Sequence, residues 1–252
     1  MSSRVAKDKI SINYQSTLAF FDTRGKQQYQ NPLSATMYQD NEPELVAARD
    51  VAEKALLADK FSLLTTGKVL DLGCGLGRWG WFFAEKKPDV AYLGIDFSAS
   101  LIEKAIDIAC EKNGHNLNYQ VMSVTAIEKE KLLLTPPYEL LIISGILLYL
   151  NDADCVSVLE MASALCAKGG QVYIREPLGM SERLTLNNHY SQELDANYSA
   201  IYRSRDEMQR MIESSFVSDE YSIAEQGFLF PDALEKRKET RQCFYILNKK
   251  EG

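Results

Sequence analysis

Three glycines at every second position, Gly73, Gly75 and Gly77, close the apolar run Val69-Leu70-Asp71-Leu72 and lead into Arg78 and Trp79. A short apolar run ended by glycines predicts a strand that turns sharply into a helix. Without side chains, Gly73 and Gly75 let the main chain bend and let a ligand lie against it. The helix that follows presents unpaired N–H groups and a partial positive charge. Open α/β sheets bind their ligands outside the carboxyl ends of the strands, where this turn lies. Two ligand classes compete for it. A dinucleotide pyrophosphate asks for Gly-x-Gly-x-x-Gly, and counted from Gly73 the third glycine position holds Arg78. Asp71 sets a carboxylate at the strand end, a poor neighbour for a diphosphate and a good one for an ammonium group. It either meets such a group or braces the loop from behind. Asp96, about twenty residues further on, ends a second apolar run, where a carboxylate can accept both hydroxyls of a ribose or cap the next helix.

Those residues need elements to hold them. Predicted strands cover residues 68–72, 90–95, 117–122, 140–144 and 171–175. Helices are expected over 79–87, over 100–112 and over 155–166, the last broken by Gly169-Gly170. Ser100-x-x-Glu103 and Ser204-x-x-Glu207 both have the form of a capping box, the second opening a helix to about Ser215. Short apolar strands alternating with helices imply a mostly parallel sheet covered on both faces. Two further strand-like runs, 218–228 and 242–248, predict an antiparallel pair at the end, joined through 233–241 as a helix or an extended turn. Residues 1–60 are expected to form an N-terminal helical cap. Residues 61–252 then form the main domain, with an acceptor-binding insertion at about 176–205.

At the glycine turn, with Asp96 and the Gly169-Gly170 break, residues 65 to 176 resemble the class I S-adenosylmethionine-dependent methyltransferases. The resemblance implies a Rossmann-like α/β fold and S-adenosylmethionine as cofactor. It implies that Gly73, Cys74 and Gly75 make room for the methionyl chain, with Asp71 orienting the loop or attracting its cationic end. Asp96 would take the ribose. The adenine would lie near Phe97 and the loop containing Thr125, and Ser144 at the end of the fourth strand would pass beneath the methionyl group. An acidic residue often meets the adenine amino group in this family, and the loop 123–126 holds none before Glu128.

The acceptor is expected to be set by segments added to this frame. The N-terminal stretch mixes Tyr14, Phe20, Phe21, Arg24, Tyr29, Tyr38 and Arg49. It either folds over the cofactor as a lid or packs its aromatics on the sheet. As a lid, Arg24 would pair with the methionine carboxylate and an aromatic such as Tyr14 would face the sulfonium, a cation–π contact of ~1–2 kcal/mol when desolvated. After the fifth strand, polar and aromatic residues crowd a stretch of little periodicity that contains Glu176, His189, Tyr198 and Tyr202. His189 and Glu176 are the candidate bases for deprotonating an amine or hydroxyl.

Composition bounds the rest. With 252 residues, 46% apolar, the chain can bury a sizeable core. Its 28 Lys and Arg stand against 35 Asp and Glu, and the net charge of −7 argues against nucleic acid and anionic membranes as partners. The longest apolar stretch, about eleven residues from Leu140 to Leu150, is too short for the ~20 of a membrane span, and residues 1–10 lack the apolar core of a secretion signal. Five cysteines without a CxxC pair suggest reduced thiols in the cytoplasm and no metal site. The expected reading is methyl transfer to nitrogen or oxygen of a small or medium-sized acceptor: a metabolite, a natural-product intermediate or a saccharide. A peptide or protein acceptor, a non-catalytic cofactor-binding partner subunit and a nicotinamide-dependent oxidoreductase are the alternatives. Oligomeric state leaves no signature here.

Overall fold

The computed structural model describes residues 10–37, 41–61, 66–112 and 114–252; Tyr38 lies outside them. Three helices come first: α1 (Tyr14–Lys26), α2 (Ser34–Met37) and α3 (Pro43–Ala58). The expected alternation follows, with β1 (Gly67–Leu72), α4 (Arg78–Lys86), β2 (Val90–Asp96), α5 (Ala99–Glu111), β3 (Leu117–Val121), β4 (Tyr138–Ser144), α6 (Asp152–Leu165) and β5 (Cys166–Gly179). The hairpin β6 (Leu184–Ser191) and β7 (Ala196–Tyr202), then α7 (Arg205–Ser215), β8 (Tyr221–Phe228) and β9 (Thr240–Lys249), complete the chain.

The described residues form a seven-stranded sheet in the order β3-β2-β1-β4-β5-β9-β8, with β6-β7 as a separate pair. The first five strands run parallel, and β9 runs antiparallel between β5 and β8. Successive strands leave β1 on one side toward β3 and then resume on its other side at β4. That reversal opens a crevice at the carboxyl ends of β1 and β4, the usual ligand site of a doubly wound sheet.

Both faces of the sheet are covered, which is why its strands read as almost unbroken apolar runs. Alternate residues of β4 divide between the two cores. Leu141 and Ile143 pack with Val158 and Leu159 of α6 and Met208 of α7. Leu140 and Ile142 pack on the other face with Leu57, Trp79, Phe83 and Ala105.

The structure corrects several boundaries. Helix α5 is capped by Ser98, whose hydroxyl accepts the Leu101 N–H at 3.4 Å, so Ser100 lies inside the helix. The box from Ser204 to Glu207 forms as expected. Asp152 and Asp154 belong to the first turn of α6, where acidic side chains suit the helix dipole. The Gly169-Gly170 break falls within β5, whose pairing with β4 jumps from Tyr138–Cys166 to Leu140–Gln171. Much of the stretch 176–205 is the β6-β7 hairpin.

Candidate active site

The crevice is an open cavity enclosing about 1030 Å³ of empty space, its mouth included. Its floor comes from the loops after the parallel strands: Gly73 to Gly75 after β1, Asp96 and Phe97 at the end of β2, Ser123 to Thr125 after β3, and Ser144 to Ile146 after β4. Its roof is α1 and α2, through Tyr14, Thr17, Phe21 and Thr36. Helix α1 lines the cavity, and its Phe21 packs edge-on against Tyr149 (5.1 Å between ring centres) and Phe97 (6.0 Å), both in turns beyond the strand ends.

Gly73 and Gly75 hold left-handed backbone, φ +72° and +56°. A side chain at Gly73 would start 2.2 Å from the Ile146 methyl, and one at Gly75 2.7 Å from the Thr36 methyl. These two positions need glycine for space as well as for φ. The loop is tied down by its own amides: Gly73 and Cys74 donate to the Ile95 carbonyl, at 2.8 and 3.0 Å.

Asp96 links the loop to the next helix. One carboxylate oxygen accepts the Gly75 N–H at 3.0 Å and the other the Ser98 N–H at 2.9 Å. Burial pushes its pKa up to about 6, against the pull of those two N–H groups. The ionised form is the one that accepts hydroxyl donors. Cofactor affinity is therefore expected to hold above pH 6 and to fall toward tenfold for each pH unit below it as Asp96 binds a proton. Calorimetric titration with S-adenosylhomocysteine between pH 5 and 8 checks this, and a flat profile would exclude an ionised Asp96 from the contact.

Other expected site residues divide. Cys74, Phe97, Thr125, Ser144 and Tyr14 border the cavity with the two glycines and Asp96. The Cys74 thiol is pushed well up, by burial first and then by Asp71 and Asp96, which suits a wall residue and not a nucleophile. The Tyr14 hydroxyl donates to Asp154 and accepts the Asn151 N–H at 3.1 Å, fastening α1 to the start of α6. No carboxylate besides Asp96 appears among the described lining residues; Ser123 and Thr125 offer hydroxyls where an acid was missing.

Three expectations are corrected, and for Asp71 the second of its two readings holds. Asp71 is buried behind the loop, accepting the Tyr92 hydroxyl at 2.6 Å, and does not line the cavity. Burial raises its pKa to about 7. Arg24 donates to the carbonyls of Ala35 (2.9 Å) and Ser34 (2.6 Å) and holds α2 in place. Its long side chain serves the roof and not a ligand carboxylate. Glu176 turns inward. Its two oxygens accept the N–H groups of Ile146 and Leu147, both at 2.8 Å, and of Leu148 at 3.2 Å, shaping the turn after β4. His189 sits on β6 with its ring 6.3 Å from that of Tyr198, outside the lining of this cavity and the next.

The charged residues that do reach the site went unanticipated. Arg78 is buried. It donates to Asp50 (3.0 Å) and to the Ser144 hydroxyl (2.9 Å) and pairs with Glu53 at 2.8 Å. Arg175, on β5, lines the cavity and stands 3.5 Å from Glu53. Val46, Arg49, Asp50, Glu53 and Leu57 are the buried residues of α3. Charged residues at the apolar spacing of a helix were the available signal.

A second cavity adjoins the first and shares Thr36, Met37, Gly145, Tyr149 and Arg175 with it. Tyr198 and Tyr202 of the hairpin wall one side; Arg49, Phe230, Glu235 and Gln242 wall another. Among the described residues, no group of three or more His, Cys, Asp and Glu is placed to hold a metal ion, and no helix is long and apolar enough to cross a membrane.

Residues 70–172 match the sequence family described as a methyltransferase domain. The matched stretch is similar to a methyltransferase domain. A phosphoethanolamine N-methyltransferase of Triticum aestivum is 29% identical over 128 residues, 49% of this chain and 24% of that protein. The match thus spans about a quarter of the relative's length. Among solved structures, phosphoethanolamine N-methyltransferase 1 of Haemonchus contortus, in complex with phosphoethanolamine and S-adenosylhomocysteine, superposes with a TM-score of 0.69 at 17% identity, over 94% of this chain and 49% of that one. The 1,6-didemethyltoxoflavin-N1-methyltransferase of Burkholderia thailandensis, with bound 1,6-didemethyltoxoflavin and S-adenosylhomocysteine, does so with 0.64 at 13% identity, over 98% and 94% of the two chains. At these identities the likeness is one of fold, and the fold is that of the class I S-adenosylmethionine-dependent methyltransferases.

The glycine spacing alone did not decide this. One frame on, Gly75-x-Gly77-x-x-Gly80 satisfies the dinucleotide pattern. Gly80 lies in α4, where an added side chain would meet the Tyr119 hydroxyl at 2.6 Å and the Tyr92 ring at 2.9 Å. That is the close helix-to-strand packing the third glycine of such a pattern serves. The family match is what separates the methyltransferase domain from a nicotinamide site.

Proposed function

We propose that the protein transfers a methyl group from S-adenosylmethionine to a nitrogen or oxygen of a small-molecule acceptor. Nitrogen is favoured by the N-methyltransferases among the proteins it resembles. The observation that carries the reading is the pair of joined cavities: one at the switch point of the sheet, the other opening from it past Gly145, Tyr149 and Arg175. A bounded second cavity favours a metabolite-sized acceptor over a protein surface, and an enzyme over a binding subunit.

The residues present fit the cofactor. Asp96 would accept the ribose hydroxyls, the bare main chain at Gly73 and Gly75 would leave room for the methionyl chain, and Phe97, Ser123 and Thr125 would frame the base. When bound, S-adenosylmethionine supplies an electrophilic methyl group on a sulfonium. The protein's part is to align the acceptor and keep water out beneath the α1–α2 roof. Alignment of this kind is worth up to ~7–11 kcal/mol, so no base is required. With Glu176 engaged by backbone amides and His189 off both cavities, neither candidate base is retained. The free thiols fit a reducing compartment such as the cytoplasm.

The test is calorimetry with S-adenosylhomocysteine and with NAD, followed by detection of S-adenosylhomocysteine release over a panel of small amines and alcohols. Binding of S-adenosylhomocysteine alone and turnover of at least one acceptor are expected, with His189→Ala within twofold of the parent rate. Binding of NAD alone would overturn the reading.

A further inference from the structure

We propose that Arg49 and Arg175 form an anion-binding subsite in the second cavity, and that the methyl acceptor is a small molecule carrying a phosphate or carboxylate group. The inference rests on the proposed function for the word acceptor and names the class of substrate.

The chain is acidic overall, yet five cations line this cavity among the described residues, Arg49, Arg175, Lys236, Arg237 and Arg241, against Glu193 and Glu235. Two of the five are already paired. Lys236 bridges Glu42 (2.7 Å) and Glu193 (2.9 Å), and Arg241 meets Asp232 at 2.9 Å. Arg237 stands 4.0 Å from Glu239, at the limit of an ion pair.

Arg175 and Arg49 are different. Arg175 is 9% exposed, its one ion pair among the described residues is the 3.5 Å approach to Glu53, and its Nε is buried without a hydrogen-bond partner among them. A buried N–H left unpaired in a protein interior needs a reason. Arg49, 8% exposed, spends Nε on the Leu234 carbonyl at 2.7 Å and lies over the Phe230 ring at 5.7 Å. Burial depresses its pKa; Glu235 opposes that, and the positive field of Arg175 adds to it. Glu235 accepts the Gln242 N–H at 3.0 Å and is itself pushed toward the neutral form by burial.

Two buried guanidinium groups that repel each other across one cavity are stabilised by an anion between them. The planar fork of arginine matches the oxygens of carboxylate and phosphate. Arg175 also borders the cofactor cavity, so an acceptor anchored by its anion would hold its nucleophile at the shared mouth. The competing anion is the carboxylate of the cofactor itself. Arg49 separates the two, because it lines the second cavity only.

Inorganic phosphate titrated into the full chain saturated with S-adenosylhomocysteine, at fixed ionic strength, is the direct probe. Saturable binding is expected, weakened at least tenfold in Arg49→Met and in Arg175→Met and partly restored in Arg49→Lys. Affinity for S-adenosylhomocysteine in Arg49→Met should stay within threefold of the parent. A second arm needs no variant: matched amines with and without a phosphate or carboxylate, such as phosphoethanolamine and ethanolamine, are compared by S-adenosylhomocysteine release, with turnover expected only of the anionic members. The relative turnover of the phosphate and carboxylate members tells the two anions apart. Absence of phosphate binding, binding indifferent to both arginines, loss of cofactor affinity in Arg49→Met, or turnover of neutral members would each overturn the subsite. Failure of the parent protein to bind S-adenosylhomocysteine would instead overturn the proposed function.

Discussion

Asp96→Ala is expected to weaken S-adenosylhomocysteine binding by about two orders of magnitude. The carboxylate is 6% exposed and lines the cavity. As the acceptor for the ribose hydroxyls it would make two hydrogen bonds to a charged group, each worth ~1.5–3 kcal/mol. The variant also orphans the N–H groups of Gly75 and Ser98, which loosens the glycine loop. About 3 kcal/mol in total corresponds to roughly a hundredfold. Asp96→Asn separates the two contributions. Its amide keeps one oxygen for a backbone N–H, but its NH2 faces a donor where the carboxylate had an acceptor. It should bind nearly as poorly while keeping more of the thermal stability. Calorimetry gives the affinity and a melting curve of the ligand-free protein gives the fold. An Asp96→Ala protein that melts normally and binds within threefold of the parent would remove this residue from the cofactor site.

What was legible in the sequence was local. The glycines, Asp96 and the alternation of β4 between two cores follow from turn chemistry and side-chain period, both of which act within a few residues. Where a long side chain finally points is not local. Glu176 follows Arg175 in a strand, so the two face opposite sides; Arg175 borders the cavity and Glu176 is left to collect the amides of the turn after β4. Arg24 has the charge for a ligand carboxylate, but its partners are 10 and 11 residues away: the Ser34 and Ala35 carbonyls become its neighbours only once α2 folds back. The second cavity is the least legible part. The antiparallel register of β9 on β5 sets Gln242 opposite Pro177, and only that pairing brings residues 230–242 to the wall of a site whose other wall is the hairpin.

Glu53→Ala is expected to destabilise the fold by ~3–5 kcal/mol, because it leaves the buried Arg175 without a carboxylate partner among the described residues and takes one of two from Arg78. Glu53 is completely buried. It pairs with Arg78 at 2.8 Å, stands 3.5 Å from Arg175 and accepts the Tyr173 hydroxyl at 2.7 Å. In the variant, Arg78 keeps Asp50 and Ser144, but Arg175 and Tyr173 lose their carboxylate. For a chain of this size the melting midpoint should fall by roughly 10 °C or more. Replacing both charges, as in Glu53→Met with Arg78→Met, should cost less than the sum of the single changes, since neither member of that pair is then left without the other, although Arg175 still loses Glu53. The acid limb offers an independent check. Burial pushes the Glu53 carboxyl up, but the fields of Arg78 and Arg175 outweigh it and hold the pKa at about 2, below the ordinary 4.5. A depressed carboxylate contributes its full stability above pH 4.5 and loses it as the pH falls through about 2. The parent protein should therefore resist acid further than Glu53→Gln does, and the gap between their melting midpoints should narrow as the pH drops from 5 toward 2. A gap independent of pH would mean that Glu53 stabilises by packing and not by charge. In that case the α3 network would no longer account for how Arg78 and Arg175 are held at the mouth of the site.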